Sequence, residues 1–215
     1  MNPFVNGYRK FRTDVYPRQA SKYRAMAKSQ KPSTLFITCA DSRVTPGVFT
    51  QTVEGELFHC RVVGNLVPAH GAHAGGVSSA IEYANMVLEV PHIIICGHSD
   101  CGAMRAFQHP EKLENLKHVR SWIEHADSAI QMAKDHFGHL QGDQFLAALT
   151  KENIVAQLAH LKTHPSVASR IRRGTLEIHG WYYDIGEGTV EAYDESRETF
   201  LPLDQTMPQQ SAQVA

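Results

Sequence analysis

The run Leu35-Phe36-Ile37-Thr38-Cys39-Ala40-Asp41-Ser42-Arg43 constrains this chain more than any other stretch. Its first half is short, apolar and β-branched, as a strand buried inside a parallel sheet must be. Its second half abandons that pattern and puts a thiol, a carboxylate and a guanidinium at alternate positions: Cys39, Asp41 and Arg43. In open α/β sheets, sites assemble where strands end and loops begin. Taken alone, the stretch reads first as a structural cysteine followed by a surface Asp–Arg pair.

A second run of the same kind narrows the choice. His92-Ile93-Ile94-Ile95-Cys96 leads into Gly97-His98-Ser99-Asp100-Cys101-Gly102-Ala103. His98 and Cys101 are spaced to share one face of a helical turn, and a cysteine at a helix start has its thiolate favoured by the local dipole. Parallel strands carry their C-terminal ends on one edge, so Cys39 can meet His98 and Cys101 there. Two thiolates and an imidazole suit Zn²⁺. Three protein ligands leave a fourth position open, the pattern of a catalytic rather than a structural centre. Asp41, two residues from a ligand, can accept a hydrogen bond from zinc-bound water, or can itself bind the metal as a fourth ligand and close the site.

The rest of the chain supplies a sheet for these two edges. Residues 57–63 read as a further strand. Val77, Ala80, Ile81, Ala84, Val87 and Leu88 form a helical stripe, the crossover that a parallel βαβ unit needs. Residues 111–162 are helical in pattern and are broken into two helices by Gly138 and Gly142, and a short helix follows Pro165. Residues 176–183 read as a fourth strand and 189–193 as an antiparallel edge strand. Phe4, Tyr8, Phe11 and Val15 recur at helical spacing before any strand exists to receive them, and Pro17 starts a second helix. The expected fold is α/β: a mostly parallel central sheet of about four strands with an antiparallel edge strand, helices on both faces, and an N-terminal helical arm over 1–30. One domain over 1–203 is expected, with a flexible tail over 204–215.

A net charge of −1 with 42% hydrophobic residues provides no basic face for nucleic acid. The apolar runs are too short to cross a bilayer, and the polar, basic N-terminus does not read as a secretory signal. Four cysteines in 215 residues are too few for a disulfide framework and point to a reducing cytoplasm. Cys60 and Cys96 lie inside apolar strands and read as buried, inert thiols. His70 and His73 belong to a small-residue loop around 71–76 and read as exposed, without further ligands nearby in sequence.

The two motifs, Cys-x-Asp-x-Arg at Cys39 and Gly-His-x-x-Cys-Gly at Gly97, together resemble the β-class carbonic anhydrases. The resemblance extends over Gly55-Glu56-Leu57-Phe58, Arg61-Val62-Val63-Gly64-Asn65, Glu82-Tyr83-Ala84 and His179-Gly180-Trp181. It is strongest to the plant-like bacterial branch, which includes enzymes of cyanate-degradation operons. It implies zinc-dependent, reversible hydration of carbon dioxide to bicarbonate and a proton, by attack of zinc-bound hydroxide. It further implies that Arg43 holds Asp41 off the metal, a task suited to a guanidinium that grips a carboxylate at two points. Phe58, Val63 and Tyr83 would line an apolar substrate slot, a role that competes with simple core packing. Gly102 would offer its backbone N–H to a substrate oxygen, and Gln30 would reach the site of a neighbouring subunit. A homodimer or a multiple of dimers is then expected, with the arm packed on the partner. In one sub-branch, an inhibitory bicarbonate pocket needs a Trp and a Gly where this chain has Phe36 and Thr38, although Val44 and Arg61 remain.

Three rival readings compete with this one on the sequence. Another zinc hydrolase or lyase, such as one acting on carbon disulfide, would use the same ligands. A cysteine phosphatase would want an arginine six residues after Cys39, where Thr45 stands. A non-catalytic zinc module would want a permanently closed fourth position.

Overall fold

A computed structural model describes residues 2–72 and 75–206. Its frame is a sheet of six strands: β1 (Thr34–Cys39), β2 (Leu57–Val62), β3 (His92–His98), β4 (Glu177–Asp184), β5 (Thr189–Asp194) and β6 (Thr199–Pro202). The spatial order is β2-β1-β3-β4-β5-β6. The first four in that order are parallel, and β5 and β6 are antiparallel additions. The four parallel strands and the antiparallel β5 match expectation. The short β6 beyond it carries no hydrophobic alternation long enough to announce itself, and it is the strand that forms the edge.

The helices follow from the apolar stripes. In chain order they are α1 (Asn2–Lys10), α2 (Tyr16–Met26), α3 (Pro46–Phe49), α4 (Gly76–Met86), α5 (Gly102–Ala106), α6 (Lys117–Ile123), α7 (Asp127–Phe137), α8 (Gly142–Lys162), α9 (Pro165–Arg172) and α10 (Leu203–Thr206). The break at Gly138 separates α7 from α8 as read from the sequence. A 3₁₀ turn at Glu124–Ala126 adds a break between α6 and α7. Residues 204–206 of the expected tail belong to a helical turn, Leu203–Thr206, and 207–215 lie outside the described residues, as does His73.

All six residues of β1 are buried, because it runs through the middle of the sheet and is covered on both faces. On one face Leu35, Ile37, Ile93 and Ile95 pack against Val77, Ile81 and Ala84 of α4 and Leu158 and Leu161 of α8. On the other, Phe36, Ile94 and Cys96 pack with Phe49 of α3, Trp181 and Tyr183. A third cluster, beyond the C-terminal strand ends, joins Cys39 and Cys101 to Leu66, Met104, Leu146 and Leu149. It is this cluster that closes around the candidate site.

The N-terminal arm stands apart from these cores. No residue of α1 or α2 is buried. A wider π-helical turn at Phe11–Val15 joins them. Pro17 lacks the N–H that the regular ladder needs there. Phe11, Tyr16 and Tyr23 pack on one another with centroids 5.6–6.1 Å apart. The base of the arm is tied down where Lys22 Nζ and Tyr23 Oη donate to the Glu54 carboxylate at 2.8 and 3.1 Å. Its far end leaves Phe4 78% and Tyr8 62% exposed.

Helix α8 lies so close to the sheet that β4 needs a glycine beneath it. A Cβ on Gly180 would stand 2.7 Å from Ile154 Cγ2 and 2.9 Å from Leu158 Cδ1. Overpacking of this kind costs about 1–3 kcal/mol. Gly180→Ala is therefore expected to lower the urea midpoint with an unchanged slope, and an unaltered midpoint would show that α8 is not seated this tightly.

Candidate metal centre

Two neighbouring parallel strands end at the same edge and deliver the donors. Cys39 is the last residue of β1 and His98 the last of β3. The register pairs Thr38 with Cys96 and so brings the two ends level. Cys101 caps α5, three residues beyond His98. The three side chains are buried, and their donor atoms all lie within 4.8 Å of one another.

The protonation pattern fits a metal ion. His98 is fully buried, and its Nε2 has no hydrogen-bond partner among the described residues. Its Nδ1 lies 2.8 Å from the Ser99 carbonyl and must donate to it. The proton is therefore on Nδ1, and the lone pair on Nε2 faces the two sulfurs. A backbone carbonyl in that position is the usual device for orienting a metal-binding imidazole. The thiols share one negative charge. Cys39 is pulled down to about 4, first by a hydrogen bond from the Cys101 thiol and further by the backbone N–H groups of Asp41 and Gly64, against the opposing effect of burial. Cys101 is pushed up by that same bond and by burial. A divalent cation removes the conflict by replacing the shared proton. Two soft sulfurs and one imidazole nitrogen are a donor set that zinc accepts.

Asp41 and Arg43 sit on the loop just past Cys39. Arg43 grips Asp41 at two points, Nε to Oδ1 at 3.0 Å and Nη2 to Oδ2 at 2.8 Å, and its backbone N–H adds a third bond at 2.9 Å. These bonds hold the Asp41 carboxyl well below the usual carboxylate range, although partial burial opposes them. Asp41 Oδ2 still lies 3.9 Å from His98 Nε2, so the ionised oxygen faces the donor cluster without entering it.

Sequence reasoning left out what holds Arg43. Its Nη1 donates to Asp100 Oδ2 at 2.9 Å and its Nη2 to the Asp100 carbonyl at 3.1 Å. Asp100 in turn accepts from Arg105 at 2.6 Å, and Arg105 reaches Asp143 of α8 at 3.1 Å. The signal was present: Asp100 stands between His98 and Cys101, where a carboxylate has no packing reason to be. Arg61 braces the same loop from β2, donating to the carbonyls of Cys39 and Asp41 at 3.3 and 2.6 Å. Gly64 (φ +70°) turns its N–H onto Cys39 Sγ at 3.4 Å, and a Cβ there would press on Ala103 at 3.0 Å.

The remaining residues singled out in the sequence are placed as follows. Gly102 opens α5, with open space where a side chain would project. Phe58 and Tyr83 stack at 5.8 Å, and Tyr83 and Val63 are each over 40% exposed. Gln30 is exposed in the connector between α2 and β1. Phe36 is fully buried and packs edge-on to Phe49 and Trp181, while Thr38 Oγ1 donates to the Cys96 carbonyl at 2.9 Å. Cys60 and Cys96 are pushed up to about 11 and 12 by burial and hold no place in the donor cluster.

Comparison with known proteins converges on one family. The family model described as "Carbonic anhydrase" matches residues 34–190. A carbonic anhydrase of Pseudomonas aeruginosa is 43% identical over 203 residues, covering 94% of this chain and 92% of its own length. Carbonic anhydrase 1 of Escherichia coli O157:H7 is 40% identical over the same shares of the two chains. The solved structure of the β-carbonic anhydrase CcaA superposes with a TM-score of 0.91 at 39% identity, covering 94% of this chain and 98% of its own. A Coccomyxa β-carbonic anhydrase follows with a TM-score of 0.77 at 30% identity, covering 87% and 83%.

The donor cluster separates the four cysteines cleanly. Cys39→Ser and Cys101→Ser are expected to lose the bound metal, because a hydroxyl is a poor zinc ligand. Cys60→Ser and Cys96→Ser are expected to keep it. Elemental analysis of the purified variants reads this directly, and full metal occupancy in either of the first two would refute the assignment.

Proposed function

The chain belongs to the β-class carbonic anhydrase family of enzymes, and from that premise we propose that Cys39, His98 and Cys101 hold Zn²⁺ for the reversible hydration of carbon dioxide to bicarbonate and a proton. One observation carries the metal assignment: a fully buried imidazole nitrogen, without a hydrogen-bond partner among the described residues, faces two sulfurs. Bound there, zinc supplies the Lewis acidity that makes water a nucleophile near neutral pH.

The chain's own residues do the rest. Asp41, kept ionised by Arg43, can only accept hydrogen bonds. It would accept a hydrogen bond from the attacking water and so aim the oxygen lone pair at the substrate carbon. Arg43 fixes the carboxylate at this distance, and the Asp100–Arg105–Asp143 relay fixes Arg43. Carbon dioxide is apolar and linear, so it needs a greasy slot rather than a charged clamp. Phe58, Val63 and Tyr83 supply that slot, and the Gly102 N–H, at a helix start where donors are unspent, meets a substrate oxygen. Tyr83 and Val63 are exposed in a single chain. A second copy therefore completes the slot and contributes Gln30. The aromatic arm, unburied on its own domain, covers the partner in a homodimer or a multiple of dimers. Unpaired thiols at all four cysteines suit a cytoplasmic enzyme, and no helix among the described residues is long and apolar enough to cross a membrane.

Stopped-flow hydration of carbon dioxide by the zinc-loaded protein tests the reading. Asp41→Ala should lower the rate by about a hundredfold with metal content unchanged. Arg43→Ala should lose most activity for a different reason, because the released carboxylate can swing onto the metal. Arg43→Lys, which keeps the charge but not the two-point grip, should recover only part of it. Parent-like rates in Asp41→Ala and Arg43→Ala would reduce the pair to a loop brace.

Assembly is tested separately. Deleting residues 1–19 should weaken association and lower hydration together, as read by sedimentation and stopped flow. A fully active monomer at assay concentration would overturn the shared site.

A further inference from the structure

The opposite edge of the sheet carries a second group of metal-binding side chains. His92 is the first residue of β3 and Glu177 the first of β4. The parallel register pairs His92 with Glu177 and Ile94 with His179. Side chains two apart on a strand share a face, so His92, Glu177 and His179 stand together on one face of neighbouring strands.

Their spacing is that of a ligand set. His92 Nδ1 and His179 Nε2 are 3.4 Å apart. Glu177 Oε2 lies 3.8 Å from the first and 3.9 Å from the second. Tetrahedral zinc with bonds of roughly 2.0–2.1 Å separates its donor atoms by about 3.3–3.4 Å. The imidazole pair already meets that spacing. The Glu177 side chain, 72% exposed, has room to close the remaining half-ångström or so. A hydrogen bond between the two rings alone would account for the nitrogen distance. It would not account for a carboxylate facing both nitrogens at nearly equal range. The strands hold the rings in place, helped by the bond from the Glu177 N–H to the Pro91 carbonyl at 2.9 Å.

We infer that His92, Glu177 and His179 form a second, solvent-reachable site for a divalent transition-metal ion, in which two imidazoles and one carboxylate leave a fourth position to water. This donor set suits zinc, nickel or copper and is harder than the sulfur-rich set at the other edge, so the ion here is the more readily exchanged. The two sites are independent. His92 and His98 are the first and last residues of the seven-residue β3, about 20 Å apart at the rise of an extended strand, and they share no ligand.

The test uses the full chain without a histidine tag, its Cys39–His98–Cys101 centre loaded with zinc. Equilibrium dialysis against added Zn²⁺ should show one further equivalent in the parent. His92→Gln and Glu177→Gln, both at exposed strand starts, should weaken that equivalent by more than about tenfold, the scale at which even outer partners of a ligand matter. Carbon dioxide hydration and the first equivalent should be unchanged in both. Added Zn²⁺ should also raise the melting temperature of the parent but not of the variants, because the ion ties β3 to β4 only in the folded chain. Absence of a further equivalent in the parent, or its retention at parental affinity in the double variant, would overturn the site.

Discussion

The parallel pairing of β1 with β3 is the interaction on which everything else in this molecule rests. It places Cys39 and His98 at level strand ends, and it does so through backbone hydrogen bonds that neither side chain takes part in. The chain leaves β1 for β2 on one side and reaches β3 on the other. The crevice between β1 and β3 is therefore the switch point of the sheet, where open α/β folds hold their ligands. Hydrophobic burial secures the pairing from both faces, through α4 and α8 on one and the Phe36–Trp181 cluster on the other.

Charge at the site is managed in two layers. The inner layer is sulfur and nitrogen, buried, and arranged so that a divalent cation relieves a conflict between two thiols that cannot both ionise cheaply. The outer layer is a chain of alternating charges running Asp41, Arg43, Asp100, Arg105, Asp143. Its outer members are exposed, so each pair alone contributes little stability. The value of the chain is positional. A carboxylate gripped at two points cannot rotate, and the guanidinium that grips it is itself anchored to the loop carrying His98 and Cys101. The two motif loops are thereby coupled by side chains as well as by the sheet.

Much of this architecture was legible from residue order. The apolar β-branched runs, the stripe from Val77 to Ala84 and the break at Gly138 each follow from local periodicity, and each appears where periodicity puts it. The donor triad was legible for a related reason: parallel topology converts strand ends far apart in sequence into neighbours. What escaped was non-local or short. The strand β6 has four residues and gains its identity from pairing with β5. The Asp100 anchor depends on the distance between two loops, which no spacing within either loop encodes. The second histidine cluster depends on register, since one residue of slip would send His179 to the opposite face of the sheet from His92.

The sequence by itself determined the kind of chemistry: two thiols, an imidazole, a carboxylate and a guanidinium, each at the boundary between an apolar run and a polar loop. Only the tertiary structure decided which of them act together. It turned the His98 ring so that one nitrogen is satisfied by Ser99 and the other is left for the sulfurs. It kept Cys60 and Cys96 out of the cluster although they are the same residue type on neighbouring strands. The reason is physical: residue type sets what a group can donate or accept, but burial, strand register and the direction of each side chain set what it meets, and those are properties of the packed sheet as a whole.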